Sequence, residues 1–230
     1  MPKIKLTYFG IEAAAEPIRL ALVLSGQEFE DERIAFPDWK ELKPKTPYGS
    51  LPLMTIDDGP VKTQSMAMLR WVGATCSDTL YPRDKLYDVE EALGVVDDMK
   101  KSFEPAMYIN MMPQSFGYPE GFGKTDEGKE KIKKLRTEWV EKELPKFLGR
   151  LEGLLDKSGG KWLVAGLDNP TIADCHAVVF LRSLTRGHVD YVNTQCLEVN
   201  PKVVSYVKRF CNLAPIKERY QDGIGSPAYK

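Results

Sequence analysis

The chain has 230 residues, of which 43% are hydrophobic and 28% charged, a composition typical of globular proteins and not of disordered ones. Its 32 Lys and Arg nearly balance its 33 Asp and Glu, so the net charge of -1 excludes a strong field for binding nucleic acid or an anionic membrane. No apolar run approaches the roughly 18 residues of a membrane-spanning helix, and we expect a soluble, unprocessed protein.

The cysteines and histidines indicate the compartment. Four cysteines are scattered without a C-x-x-C pair, and the imidazoles are those of His176 and His188. Such spacing fits neither a disulfide framework nor a zinc site. We therefore expect a reducing, cytoplasmic setting and no metal.

The first residues read as an α/β unit. Lys3–Tyr8 alternates apolar and polar side chains, which predicts a strand. Ala13–Ser25 has helical spacing and is followed by Gly26, a residue that commonly ends helices. Phe29–Ile34 predicts a second strand. The order strand, helix, strand begins a sheet with helices on its faces.

A predicted hairpin continues this unit. Leu53–Ile56 and Val61–Thr63 read as strands, joined by the strong turn sequence Asp57–Pro60. Met66–Cys76 then resumes a helical pattern. Residues 1–80 are therefore predicted to form a domain with a mixed four-stranded sheet.

From residue 86 to residue 230 the sequence predicts an all-helical domain. Apolar residues recur at helical spacing in four segments, which are Val89–Met107, Ile132–Leu154, Ile172–Leu184 and Lys202–Cys211. Pro145 is expected to kink the second of them. Met112–Lys124 reads as a loop and Gly223–Lys230 as an irregular tail.

Several short motifs occur in an order that spans essentially the whole chain. They are Pro2–Phe9, Ala15–Leu20, Trp39 with Lys43, Pro47–Leu53, Gln64–Arg70, Asp97-Asp98 and Pro170–Asp174. Together they resemble the cytosolic glutathione S-transferases, most closely the sigma class. The resemblance implies an α/β N-terminal thioredoxin-like domain, an all-α C-terminal domain and a homodimer. It also implies glutathione as co-substrate, with no further cofactor.

Tyr8 is the candidate for activating the glutathione thiol. A free thiol has a pKa of about 8.5, yet the thiolate is the nucleophile. A tyrosine hydroxyl, which titrates near 10, can stay protonated and donate a hydrogen bond to the sulfur. From spacing alone, a strand-end tyrosine with its ring in the core is the commoner reading. The resemblance assigns Tyr8 the catalytic role.

Two pairs of residues suit the two carboxylates of glutathione. Gln64 and Ser65 open a helix, whose free N–H groups and dipole would suit the γ-glutamyl carboxylate; simple N-capping is the alternative. Trp39 and Lys43 lie one helical turn apart and could hold the glycyl carboxylate, although such a pair is often only a surface feature. The resemblance favours the binding role for both pairs.

The resemblance also assigns roles to Leu51, Pro52 and Asp98. It implies a cis peptide bond before Pro52, with the backbone of Leu51 pairing with the cysteinyl unit. It implies that Asp98 reaches the glutathione amine of the partner subunit, whereas an exposed charge pair is the alternative. Asp97 and Asp98 point about 100° apart on a helix, so they cannot easily face one ligand. Gly94 stands one turn earlier, where a metal-binding carboxylate would be needed, so no metal is predicted.

An apolar surface is expected for the second substrate, a small hydrophobic electrophile. Its predicted residues are Phe9, Ile11, Met107 and Met111. The segment Met111–Lys124 is rich in Pro, Gly and aromatic residues, and either lines this site or covers an edge of the helical domain.

One departure bears on the activity. Glu12–Ala15 replaces a stretch where sigma enzymes often have a glycine and an arginine, and the missing arginine weakens a prostaglandin-isomerase reading. We predict a transferase that conjugates glutathione to electrophiles. The alternatives are a glutathione-dependent isomerase or peroxidase, similar to prostaglandin D synthase, and a non-catalytic protein on this fold.

Thr171 and Asp174 form a T-x-x-D motif before an apolar run. In this capping box the threonine caps the helix, and the acid returns to the N–H of the capping residue. We interpret this motif as a folding signal rather than a catalytic pair.

Overall fold

The computed structural model describes residues 2–219. Met1 and residues 220–230 lie outside the described part, and with them the predicted irregular tail Gly223–Lys230.

The sheet has β1 at its centre. Its strands are β1 (Ile4–Phe9), β2 (Phe29–Ile34) and β3 (Leu53–Ile56), in the order β2-β1-β3. Strand β1 runs parallel to β2 and antiparallel to β3, so Tyr8 stands opposite Arg33 and Leu6 opposite Met54. These three strands confirm the sequence prediction.

The prediction of a fourth strand is wrong. Within residues 2–219 the sheet has three strands, and Val61–Thr63 contributes only one isolated bridge, between Lys62 and Met54. The two residues exchange both backbone hydrogen bonds, at 2.8 and 3.1 Å. The hairpin therefore exists as a single pair rather than as a ladder.

Two prolines explain why the ladder does not extend. In the register of that bridge, Pro60 would stand opposite Ile56 and Pro52 opposite Gln64, and proline has no N–H to donate. The carbonyl of Ile56 instead accepts a hydrogen bond from the N–H of Gly59, at 2.9 Å. The alternating apolar pattern of the sequence gives no information about these missing hydrogen-bond donors.

Helices α1 (Glu16–Leu24), α2 (Trp39–Leu42) and α3 (Ser65–Thr75) accompany the sheet. A 3₁₀ turn over Ala13–Ala15 leads into α1, and Gly26 follows it with φ +68°, as expected for a residue that stops a helix. Apolar residues of α1 and α3 pack with those of β1 in one core.

From residue 86 to residue 219 the structure describes helices and turns, without a strand. Six helices follow here: α4 (Leu86–Tyr108), α5 (Asp126–Glu138), α6 (Leu144–Lys157), α7 (Ile172–Thr185), α8 (Pro201–Cys211) and α9 (Ala214–Arg219). A π-helical turn over Trp139–Glu143 separates α5 from α6, and Pro145 lies in the first turn of α6, where proline is tolerated.

Helix α7 is buried along almost its whole length and packs against α1, α4 and α8. Beside it, the ring of Trp139 lies 4.4 Å from that of Phe103 and 6.3 Å from that of Phe180, measured between centroids. The core is therefore shared between the α/β part and the helical part. None of the helices described in residues 2–219 is long and apolar enough to cross a membrane.

Candidate functional site

Tyr8 lies near the end of the central strand and is 8% exposed. Burial raises the pKa of its phenol, as does the nearby Tyr108, while the backbone of Ala14 and the charge of Arg19 act in the opposite direction. The guanidinium carbon of Arg19 lies 5.9 Å from the centre of the Tyr8 ring. Because the net pKa shift is upward, the phenol is a neutral hydrogen-bond donor at neutral pH.

A fully buried arginine organises the chain after Tyr8. Arg19 donates to the carbonyl of Ile11 at 2.7 Å and to that of Phe9 at 3.3 Å, and it pairs with Glu16 at 3.0 Å and Asp31 at 2.9 Å. Two carboxylates and two carbonyls satisfy its donors, as a buried guanidinium requires. The motif Ala15–Leu20 contained this residue, but no sequence signal gave it this role.

The turn between β1 and α1 contains a residue with an unusual backbone conformation. Ala13, within the stretch Glu12–Ala15, adopts φ +38°. A side chain in this left-handed region costs roughly 1–2 kcal/mol relative to glycine. The turn therefore holds an alanine in a backbone conformation that favours glycine.

Trp39 lies beside the end of β1, and Lys43 lies over the loop that follows α2. The ring of Phe9 stands 6.0 Å from Trp39 in an edge-on arrangement and 4.4 Å from Phe36 in a stacked one. The side chain of Lys43 lies over Gly49, where an added Cβ would meet its Cε at 3.5 Å. Trp39 is half-buried and Lys43 exposed, so both are accessible to a ligand.

The backbone before β3 offers free hydrogen-bonding groups. The peptide bond between Leu51 and Pro52 is cis, as the resemblance implied. Within residues 2–219, the N–H and the C=O of Leu51 take part in no backbone hydrogen bond. A half-buried residue with both groups unpaired can pair with an extended peptide.

Helix α3 begins without a side-chain cap. Gln64 adopts φ +72° and accepts the first helical hydrogen bond, from Met68 N–H at 3.0 Å, but its side chain does not cap the helix. Ser65 is half-buried and opens the helix. An uncapped helix start presents unpaired N–H groups and a positive dipole end, which together suit a carboxylate.

The two aspartates of α4 diverge, as helix geometry predicted. Asp97 is bonded to Nε2 of His176 at 2.8 Å, and this bond lowers the pKa of its carboxyl group. Asp98 is exposed. Among the described residues no group of three His, Cys, Asp or Glu could hold a metal ion.

The residues predicted for the apolar surface differ in their burial. Ile11 and Met107 are half-buried and pack against the main core, whereas Met111 is 63% exposed. Tyr108, which sequence reasoning missed, is close enough to raise the pKa of Tyr8. Its position one residue after Met107, near the end of α4, was the only signal.

The aromatic residues of the following loop cover an edge of the helical part. Phe116 and Tyr118 pack against a small separate core formed by Ile109, Phe122 and Ile132, and the rings of Tyr118 and Phe122 stack at 4.1 Å. Of the two readings of this loop, the structure supports the covering one for its aromatic residues.

Comparison with known proteins bears on the family. The family models for the N-terminal and C-terminal domains of glutathione S-transferase match residues 4–74 and 118–221. A glutathione S-transferase class-mu 28 kDa isozyme from Schistosoma japonicum is 33% identical over 201 residues, which are 86% of this chain and 88% of the relative. The chain belongs to the glutathione S-transferase family.

Further relatives agree. Glutathione S-transferase 1 from Ascaris suum is 38% identical over 165 residues, 71% of this chain and 72% of the relative. The crystal structure of the glutathione S-transferase from Ascaris lumbricoides superposes with a TM-score of 0.68 at 27% identity, covering 94% of this chain and 95% of that one. The predicted glutathione S-transferase fold and activity are therefore confirmed.

Proposed function

We propose that this glutathione S-transferase activates glutathione through Tyr8 and adds its sulfur to small apolar electrophiles. The observation that carries this assignment is the buried phenol at the end of β1, whose raised pKa keeps it a neutral donor. Its hydrogen bond favours the thiolate over the thiol, so the thiol proton passes to solvent at neutral pH. The thiolate then forms the carbon–sulfur bond, and the leaving group departs with its electron pair.

The tripeptide is held along one face of residues 1–80. Trp39 and Lys43 take the glycyl carboxylate, and the unpaired backbone of Leu51, before Pro52, pairs with the cysteinyl unit. Gln64 and Ser65 take the γ-glutamyl carboxylate at the uncapped start of α3. This arrangement places the cysteinyl sulfur toward Tyr8.

The electrophile rests between the two parts of the chain. Phe9 and Ile11 contribute from the α/β part, and Met107, Met111 and Tyr108 from the helical domain, which we place at residues 86–230. Apolar contacts distinguish related ligands by only about 1–3 kcal/mol, so we expect broad selectivity.

We assign the enzyme to the sigma class, as a cytoplasmic homodimer that needs no cofactor besides its co-substrate. Support comes from the sequence motifs and from Asp98, which is exposed on α4 and free to face a second subunit. Isologous two-fold contacts are the commonest way for such a chain to associate. In the dimer, Asp98 holds the amine of glutathione bound to the partner.

Replacing Tyr8 with phenylalanine tests the assignment. Tyr8→Phe removes one hydrogen bond to the developing charge, so turnover with a chloro-nitroaromatic electrophile falls about 10²-fold. Affinity for glutathione, measured by calorimetric titration, stays nearly unchanged because the carboxylate contacts remain. Turnover equal to that of the wild type would remove Tyr8 from this role.

The unmodified protein provides the first result. Saturable glutathione binding with turnover of the nitroaromatic compound supports the transferase. Binding without turnover contradicts conjugation of small generic electrophiles and favours a specialised isomerase or a ligand-holding protein. Absence of binding would show that the fold is kept and the site lost.

The subunit contact has its own test. Asp98→Ala is expected to weaken glutathione binding about fivefold, by loss of one charge-assisted hydrogen bond, without lowering the melting temperature. Glu91, also exposed on α4, provides the control as Glu91→Ala. Equal affinities in the two variants would contradict the contact from Asp98.

A further inference from the structure

The turn that departs from the family pattern contains a buried acid. Glu12 is only 4% exposed although it lies in the connection between β1 and α1. Its carboxylate accepts a hydrogen bond from Nη1 of Arg186 and lies 3.8 Å from Nη2 of Arg182. Arg182 lies in the last turn of α7 and Arg186 directly follows the helix, about 170 residues further along the sequence. The turn after Tyr8 is thus bound to the C-terminal end of α7 by side-chain contacts.

The same turn is held at two other points. Arg19 binds the carbonyls of Phe9 and Ile11 from the core side, and the N–H of Glu16 donates to the carbonyl of Glu12 at 3.2 Å. These contacts fix the residues on both sides of Gly10. Of the contacts named here, the ion pair of Glu12 is the one that joins the turn to the end of α7.

Two arginines and two weaker titratable groups surround Glu12. Its carboxylate faces the guanidinium groups of Arg186 and Arg182. His188 also borders the cluster, and burial and the charge of Arg186 lower the pKa of its imidazole. The Sγ of Cys211 lies 4.0 Å from Nη1 of Arg182, and burial raises the pKa of its thiol. The groups that bind the carboxylate of Glu12 are therefore the two arginines.

We propose that Glu12 is a positioning residue, which through Arg186 and Arg182 fixes the turn that orients Tyr8 toward the glutathione sulfur. The proposal rests on the function proposed for Tyr8. The turn reaches Tyr8 from two sides, because Phe9 follows it directly and the backbone of Ala14 faces its hydroxyl. An acid bound by Arg186 and Arg182 thus stands in the turn that leads from Tyr8 to α1.

The test is the variant Glu12→Gln, which keeps the shape of the side chain and removes its charge. The pKa of enzyme-bound glutathione is measured by titrating thiolate absorbance, together with kcat and the affinity for glutathione. We expect the thiol pKa to rise and kcat at neutral pH to fall about three- to tenfold, because misplacement of the donor weakens thiolate stabilisation. Affinity changes less than about twofold, since the tripeptide contacts remain.

A matched control is Glu152→Gln. Glu152 accepts a hydrogen bond from Asn200 at 2.8 Å and pairs with Lys202, so it joins α6 to α8 away from Tyr8. The variant Glu152→Gln is expected to leave the pKa of the bound glutathione thiol and kcat at their wild-type values. A merely structural role for Glu12 would likewise leave the thiol pKa unmoved.

Two further variants keep the outcomes distinct. If Glu12→Gln does not fold, Arg186→Lys and Arg186→Met replace it, and the lysine, which retains the charge, is expected to preserve a lower thiol pKa than methionine. A thiol pKa that rises in Tyr8→Phe but stays at the wild-type value in Glu12→Gln, or is equal in both Arg186 variants, overturns the positioning role alone. A thiol pKa unchanged in Tyr8→Phe overturns the function proposed for Tyr8, and the positioning role with it.

Discussion

Helices α7 and α3 begin in opposite ways. At α7, the hydroxyl of Thr171 accepts from Ala173 N–H at 3.3 Å, and the carboxylate of Asp174 accepts from Thr171 N–H at 2.7 Å. Asp174 also accepts from Leu163 N–H and from the hydroxyl of Tyr206, each at 3.0 Å. At α3, no side chain caps the helix, its N-cap residue Gln64 is exposed and Ser65 is half-buried.

The difference separates folding from binding. The start of α7 is buried, so each polar group there needs a partner within the protein. The start of α3 is accessible to solvent, which keeps its N–H groups available to an incoming carboxylate. The same backbone feature thus stabilises the core in one place and, in the function proposed above, binds substrate in the other. Each of the variants below alters one side of this contrast.

The largest effect is expected at α7. Asp174→Ala leaves the buried donors of Thr171, Leu163 and Tyr206 without an acceptor, so the free energy of unfolding falls by about 3–4 kcal/mol. Urea denaturation measures this change. Asp168→Ala is the control and is expected to have no measurable effect on unfolding. Asp168 is exposed, and among residues 2–219 its carboxylate forms an ion pair only with Lys161. Similar midpoints for the two variants would contradict the role of the capping box.

A smaller effect is expected at α3, and on binding instead of stability. Ser65→Ala weakens glutathione binding about five- to tenfold, by loss of one hydrogen bond to the carboxylate, as measured by calorimetric titration. Its urea midpoint is expected to match the wild type because Ser65 caps nothing. A lowered midpoint with unchanged affinity would mean that the helix start serves folding after all.

The smallest effect concerns backbone strain at the same helix. Gln64→Gly relieves the left-handed conformation at φ +72°, so we expect the free energy of unfolding to rise by about 0.5 kcal/mol. Gln64→Ala is the control, since it removes the same amide without relieving the backbone. A glycine variant no more stable than the alanine variant would show that this conformation carries no cost here.

The strands and helices were largely predictable because their signals are local. The alternation in β1, the helical spacing of α1 and the T-x-x-D motif before α7 each depend on a few neighbouring residues. The prediction of a fourth strand was wrong, because a ladder beside β3 needs backbone N–H donors at positions 52 and 60. Both positions are occupied by proline, which has no N–H group. The strand propensity of a segment does not show which residue of the neighbouring strand each of its residues will face.

The candidate site was predictable only where a motif named its residues. The divergence of Asp97 and Asp98 followed from helix geometry, whereas the cis bond before Pro52 came from the resemblance alone. The contacts of Glu12 with Arg182 and Arg186 could not be foreseen, because they join residues about 170 positions apart through the tertiary fold. Tyr108 was missed for the same reason.

The missing ladder next to β3 also affects how separate molecules meet. An unpaired sheet edge invites strands from other chains to add to it, which leads to aggregation. At one edge, Pro52 and Pro60 interrupt the row of donors beside β3. At the other edge, β2 carries the charged residues Glu30, Glu32 and Arg33. Both margins of this small sheet therefore oppose strand addition between separate molecules.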